Sequence, residues 1–263
     1  MTFLDLVHLF LFSLEPPCGN DESRLFRWRK IFTAWGHARK QEMKVPLKKW
    51  LKKLRQPFRS PILKRLDEIE SVVLDLQRLA RIPFAKKVVI GAAGTCYAGW
   101  VGTEREELDV TDRSDFLRYW KPKSISAFLA EHVWEHLSEQ DARTANANCF
   151  EFLIPGGHFR IAVPDGYKPD PAYLEYVRPG GVGAGAKDHK ILYNYQLLTQ
   201  HLQLAGFHVQ LLEYWDENGS FHFHEWSPAD GYVDRSKRFD PRNQGDFLAY
   251  TSLIVDAIRP KSE

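Results

Sequence analysis

The sequence predicts an α/β fold built on a mostly parallel sheet, preceded by a helical extension. Three observations carry this expectation. From residue 86 onward, short runs rich in Val, Ile, Leu and Phe alternate with helical stretches, an order that yields parallel strands joined by crossover helices. Gly156-Gly157 and Gly206 each fall between a helical stretch and a strand, where a left-handed cap is expected. Ahead of that region, Ile62, Leu66, Ile69, Val73, Leu76 and Ala80 follow alternating 4-3 spacing, the pattern of an amphipathic helix.

Taken in order, residues 1–43 form a poorly defined N-terminal extension. Their apolar start, Met1 to Leu14, carries Asp5 and His8 and is shorter than the roughly 20 residues a bilayer span needs. It has neither a basic leader nor a small-residue cleavage site, so a signal peptide fits poorly. Met43 is a more conventional start, and residues 1–42 are read as an upstream over-extension. Residues 44–83 form a basic, then heptad-like helical segment. Between Lys44 and Arg65 there are nine Lys or Arg and no acid, interleaved with Leu47, Trp50, Leu51 and Leu54. Such a face suits peripheral contact with an anionic membrane, or simply faces solvent. Pro61 starts the heptad-like helix and Pro83 ends it. That helix is expected either to pair two chains as a homodimer through 61–82 or to dock on its own domain.

Residues 84–263 form the α/β domain. Strands are expected at 87–91, 100–104, 108–111, 125–130, 158–163, 207–215 and 250–258. Helices are expected at 113–120, at 132–153 with a break near Ser138, and at 189–205. The last two strands lack a helix between them and are expected to be antiparallel. The link from Gly91 to Trp100 is too short for a full crossover helix, so the first helix is expected to be one turn or missing.

Composition narrows the function. The chain has 263 residues, 44% hydrophobic and 27% charged, which excludes disorder. A net charge of +2 gives no reason to expect a nucleic-acid partner. Three widely spaced cysteines, Cys18, Cys96 and Cys149, exclude a zinc ribbon and a disulfide framework, which fits a cytoplasmic setting.

The densest chemistry lies in Glu131-His132-Val133-Trp134-Glu135-His136-Leu137. If helical, it sets His132, Glu135 and His136 on one face, where they would bind a metal, move protons or dock on a strand. H-x-x-E-H is also an inverted zincin pattern, which would make the protein a zinc hydrolase. The strand expected just before it argues against that reading. The run VVIGAAG, from Val88 to Gly94, is an apolar strand entering a glycine turn that lets a ligand approach the backbone. Glu104, closing the next expected strand, is placed to accept both ribose hydroxyls of a nucleoside. Asp165 follows a strand end and points toward an expected acceptor site. The glycine-rich run 180–190 is a lid or a connector, with Asp188 at a helix N-cap. Residues 216–249 form a long insertion with His222, His224, Trp226, Tyr232, Arg235, Lys237, Arg238, Arg242 and Asn243, suited to facing a substrate.

Together IGAAG (90–94), GWVGTE (99–104), LDVTD (108–112), EHVWEHL (131–137), IPGGHFRIAVPDG (154–166) and AGFHVQLLEYW (205–215) resemble the class I S-adenosylmethionine-dependent methyltransferases. The likeness is greatest to the subgroup with HVLEHL, PGG and VPD motifs. The resemblance implies a Rossmann-like seven-stranded sheet with the cofactor, S-adenosyl-L-methionine, at the carboxyl ends of the strands. It implies that Gly91, Ala93 and Gly94 face the methionine part and that Glu104 holds the ribose. Asp109 and Val110 would lie near the adenine, and Ala130 and Glu131 on the sulfonium side. Ala93 stands where the pattern has its second turn glycine, which narrows the approach to the backbone. In two groups of such enzymes, the ubiquinone-pathway and small-RNA 3′-terminal O-methyltransferases, a similar E-x-x-E-H segment holds a divalent cation. Here His132 replaces the first acid, so His132, Glu135 and His136 would form the metal set, with His189, His222 or His224 as a further ligand. A histidine in place of an acid favours zinc over magnesium.

The function expected is methyl transfer to a hydroxyl or amine of a small-molecule, glycan or lipid-linked acceptor. His136 and His132, or else Asp165, would remove the acceptor proton. The alternative is a non-catalytic module of the same fold that assembles or docks at a membrane through 44–82.

Overall fold

Two prolines bound the first helix of the described residues. The computed structural model describes residues 61–95, 97–245 and 247–261, and the expectations for residues 1–60 lie outside these. Helix α1, Pro61–Arg81, starts at its proline and gives way to a single 3₁₀ turn, Ile82–Phe84, at Pro83. Compact packing of the α/β unit begins at Arg81.

The unit holds a Rossmann-like seven-stranded mixed sheet. Strand β1, Lys87–Ile90, pairs in parallel with β2, Val101–Thr103, on one side and with β3, Ile125–Glu131, on the other. Strand β4, Leu153–Pro164, continues the parallel set beside β3. Strand β7, Ser252–Ile258, then runs antiparallel between β4 and β5, His208–Trp215, as expected for the last two long strands. A short β6, Phe221–Phe223, closes the edge, giving the order β2-β1-β3-β4-β7-β5-β6.

The seven strands are not the seven expected. Residues 108–111 form turns, because Asp109 and Asp112 use their carboxylates on nearby N–H groups: Thr111 N donates to Asp109 Oδ1 at 2.9 Å and Ser114 N to Asp112 Oδ1 at 2.8 Å. Local bonds of that kind compete with a strand ladder. Asp112 thereby caps helix α2, Arg113–Tyr119. The seventh strand is β6, which lies inside the stretch read as an insertion loop. The described residues between Gly91 and Trp100 form turns, so the first crossover helix is absent, as its length required.

Helix α3, Glu139–Phe152, begins at Ser138, whose hydroxyl accepts from Asp141 N at 3.1 Å. Its C-terminus differs from expectation. Gly156, with φ +80°, lies inside β4 rather than in a cap, and Arg259 donates to the carbonyls of Phe150, Glu151 and Leu153 at 2.6, 3.0 and 2.9 Å. Helix α4, Pro171–Val177, is capped by Asp170. Helix α5, Tyr195–Leu204, starts six residues later than expected because Asn194, not Asp188, caps it; it ends with Gly206 at φ +99° as foreseen.

The two faces of the sheet are covered differently. On one face Val88, Ile90, Phe128, Ala130, Phe159 and Ile161 pack with Phe116, Phe152 and Leu198 from α2, α3 and α5. On the other, Val89, Ala127, Leu129, Ala162 and Ile254 meet Trp226 and Val233 from the 216–249 insertion. The insertion therefore supplies the second layer of this unit. Three charged strand residues pin it there. Arg160 forms a fork with Asp256 at 2.8 and 2.7 Å and donates to the carbonyls of Ser227 and Gly231. Glu213 accepts from Trp226 Nε1 at 2.8 Å and Lys237 N at 2.7 Å. Glu131 accepts from Asp234 N at 3.0 Å and Arg235 N at 2.9 Å.

Candidate functional site

The chain crosses from one side of β1 to the other between β2 and β3, so the carboxyl ends of β1, β2 and β3 meet at a topological switch point. Open α/β sheets bind ligands in the crevice at such a point. Leaving β1, Gly91 takes φ +62° and Gly94 φ +79°, and Ala93 follows at φ +48°, a left-handed value unusual for a residue with a side chain. The glycine at 91 is required by packing: a Cβ there would sit 2.7 Å from Val133 Cγ2. At Gly94 nothing lies within 4 Å of such an atom, so space opens above the turn. Gly94 N donates to Glu104 Oε1 at a long 3.3 Å, joining the turn to the end of β2. Glu104 is partly exposed and keeps acceptor capacity facing outward. Asp109 sits beyond it, with Thr111 N and Oγ1 on Oδ1 and Arg105 Nε 3.6 Å from Oδ2. Burial alone would raise the Asp109 carboxyl; the Thr111 bonds and Arg105 outweigh it and hold the group below the ordinary range. Val110 is buried, its carbonyl taken by Asn148 Nδ2 at 2.9 Å.

The donors and acceptors around Gly94 and Glu104 suit the ribose end of a nucleoside: an open turn backbone beside an available carboxylate. The fit is poorer at the end of β3. The Ala130 side chain lies in the helix-side core, and both Glu131 oxygens are held by the insertion. Burial raises the Glu131 carboxyl, opposed by those N–H groups and by the charges of His132 and Arg235.

Immediately after β3 the chain turns sharply. His132 adopts φ +56°, its N–H donating to Ala162 O at 2.8 Å, a conformation that costs on the order of 1–3 kcal/mol and persists where the surroundings enforce it. The segment then forms a 3₁₀ turn, Trp134–His136, rather than an α-helix. The shared face expected for His132, Glu135 and His136 is therefore not a helical face, and the two histidines are not set on an α-helix as the inverted zincin pattern requires. His132 has both ring nitrogens engaged: Nδ1 lies 3.0 Å from Glu135 Oε1 and Nε2 3.0 Å from Ser252 Oγ.

Glu135 is only 1% exposed, and neither carboxylate oxygen has an aligned hydrogen-bond donor, so the His132 contact is an ion-pair approach out of line for a bond. Burial would raise this carboxyl, but the neighbouring His132 holds it below the ordinary range. The Glu135 carbonyl accepts from Lys190 N at 2.6 Å and Ile191 N at 3.3 Å, which draws the 186–191 loop against the turn. His189 thereby comes beside His136, ring centroids 4.7 Å apart and near perpendicular. Burial lowers the His136 imidazole and keeps it neutral near pH 7, with the Glu135 charge working in the opposite direction. Among the described residues, Glu135, His136 and His189 bring one potential ligand atom each within 4.8 Å of one another. They line a cavity of about 310 Å³ with His132, Tyr176, Val177, Ala184, Arg235, Arg242 and Tyr250. That volume suits a small molecule or one end of a larger one.

Asp165 lies apart from this cavity. It is fully buried, with Tyr167 N at 3.0 Å and Trp215 N at 2.7 Å on its two oxygens, which makes it a brace between β4 and β5. Of the insertion residues, Arg235 and Arg242 reach the cavity, Arg238 packs on Trp226, and His222 is bound to Asp216 at 2.8 Å. Sequence reasoning missed the parts played by Tyr250, Tyr176 and the charged pins Arg160 and Glu213. For the pins a signal existed, because an arginine and a glutamate inside apolar strands must find buried partners.

No family model and no curated protein matches the chain. It is similar to solved structures described as S-adenosylmethionine-dependent methyltransferases. One from Archaeoglobus fulgidus is 13% identical over 73% of this chain and 94% of that one, with a TM-score of 0.39. One from Mesorhizobium loti is 14% identical over 66% and 90%, with a TM-score of 0.38. A Haemonchus contortus phosphoethanolamine N-methyltransferase, in complex with S-adenosyl-L-methionine, is 11% identical over 70% and 52%, with a TM-score of 0.35.

Proposed function

We propose that the protein transfers a methyl group from S-adenosylmethionine to a hydroxyl or amine of a small-molecule or glycan acceptor. The observation that carries this is one of adjacency. A glycine turn joined to an acid at the switch-point crevice lies one strand end away from a small cavity holding Glu135, His136 and His189. S-adenosylmethionine would supply an intrinsically electrophilic methyl, so the chain's task reduces to alignment and proton removal. In this reading the backbone of Gly91, Ala93 and Gly94 borders the methionine part, and Glu104 accepts from the ribose hydroxyls. Asp109 and Val110 border the adenine, and the backbone of Ala130 and Glu131 borders the sulfur. His136, neutral and partly buried, takes the acceptor proton. His132, engaged on both nitrogens, holds Glu135 rather than acting on the acceptor. The half-buried Tyr97 and Tyr232 rings, 5.3 Å apart, tie the insertion to the crevice.

The test is a calorimetric titration of S-adenosylmethionine into wild type and Glu104→Ala. The expected result is at least a tenfold loss of affinity in the variant with an unchanged thermal melt. Equal affinities would remove Glu104 from the site.

A further inference from the structure

We infer that Glu135, His136 and His189 form a three-ligand site for a divalent transition-metal ion of the zinc class. Three independent features converge. The first is the ligand set itself, two imidazoles and one carboxylate with one atom each within 4.8 Å of the others. Two histidines with one glutamate suit zinc, cobalt or iron far better than magnesium, which prefers an all-oxygen shell. The second is the buried Glu135 carboxylate, which lacks an aligned donor on either oxygen. A buried acceptor whose one close contact, His132 Nδ1 at 3.0 Å, is out of line for a bond is costly, and a cation between it and the His136 and His189 imidazoles would satisfy it.

The third feature is the arrangement behind the ligands. His189 Nδ1 lies 2.7 Å from the Val177 carbonyl, so Nδ1 carries the hydrogen and Nε2 is left with its lone pair. Fixing the tautomer through a carbonyl on the far nitrogen is the usual support of a ligating histidine. His132, itself bound to Ser252, lies 3.0 Å from Glu135 Oε1 and orients the carboxylate. The strained turn at His132 and the Lys190 and Ile191 bonds to the Glu135 carbonyl hold the ligand-bearing segments together. Of the set expected from the sequence, Glu135 and His136 remain; His189, one of three candidates there for a further ligand, joins them, and His132 is engaged by Glu135 and Ser252 instead.

Three protein ligands leave positions open toward the cavity, where Arg235 and Tyr250 also face. An ion there would polarise the acceptor oxygen or nitrogen so that its proton is lost to water in the open cavity, and His136 would then act as ligand rather than base. This use of the ion rests on the methyl-transfer reading; binding of the ion does not.

The test uses the full chain, freed of metal by chelation and titrated with Co²⁺ in the absence of any cofactor. The expected result is one ion per chain, visible absorption bands typical of a low-coordinate site, no heat with Mg²⁺ at the same concentration, and competition by Zn²⁺. His189→Ala should weaken Co²⁺ binding by at least about a hundredfold while the melt stays cooperative. The inference is overturned if wild type gives no stoichiometric Co²⁺ spectrum, or if a folded His189→Ala binds equally well. The wild-type spectrum alone decides the matter should the variant fail to fold. Failure here leaves S-adenosylmethionine binding untouched, and failure of that binding leaves the ion site intact.

Discussion

Asp165 illustrates how a polar residue at a strand end can serve the fold. It received a catalytic expectation because it follows VP at the mouth of the sheet, but its two oxygens are spent on Tyr167 N and Trp215 N. Burial pushes its carboxyl up to about 6, with those N–H groups opposing the rise. A raised carboxyl means that the folded state holds a proton the unfolded chain, titrating at about 3.9, has already lost. Its contribution to stability is therefore full below about pH 4 and declines as pH rises through about 6. The expected outcome is that the melting temperature of wild type minus that of Asp165→Asn falls between pH 4 and 7. A flat difference would show that Asp165 does not titrate in this range. The sequence made Glu135 and His136 legible as a reactive pair because their types and spacing are rare. It could not show that His132 is committed to Ser252, and it offered His189 only beside His222 and His224, since both contacts span long distances in the chain.

Among the elements, the 216–249 insertion carries the least regular sequence and the most structural duty. It covers one face of the sheet and sends Arg235 and Arg242 to the cavity. Its hold depends on Arg160, whose guanidinium is buried between Asp256 and two insertion carbonyls. Removing one partner of a buried ion pair costs about 3–5 kcal/mol. Arg160→Ala is expected to lose stability in that range by urea unfolding, with faster amide exchange concentrated at 226–239. Exchange unchanged there would mean the apolar contacts of Trp226 and Val233 suffice. The strands β1, β3, β5 and β7 were readable from apolar runs, and the antiparallel end of the sheet from the missing helix. The 108–111 segment misled because its alternation suits a strand while its aspartates favour turns. The short β6 gave no signal, being an edge strand of three residues formed only by pairing with β5.

At the scale of the molecule, among the described residues no helix is long and apolar enough to cross a membrane. Helix α1 exposes Ile69 and Leu76 by more than half. Pairing of two chains through this helix, which we propose on its 4-3 spacing, predicts a concentration-dependent dimer in sedimentation that Leu76→Glu abolishes. A monomer at all concentrations would refute it. The α/β unit joins two features that the chain builds from different parts of the sequence, a crevice from 91–110, which we propose takes the nucleoside, and a histidine-lined cavity from 132–136, 189 and the insertion. The measurement that tests this union most directly is a crystal structure of the full chain grown with S-adenosylhomocysteine. It is expected to show the ribose hydroxyls on Glu104 and the sulfur at the ends of β1 and β3, facing the cavity lined by Glu135 and His136. A crevice left without ligand at saturating concentration, or a ligand bound with its sulfur turned away from that cavity, would contradict the account.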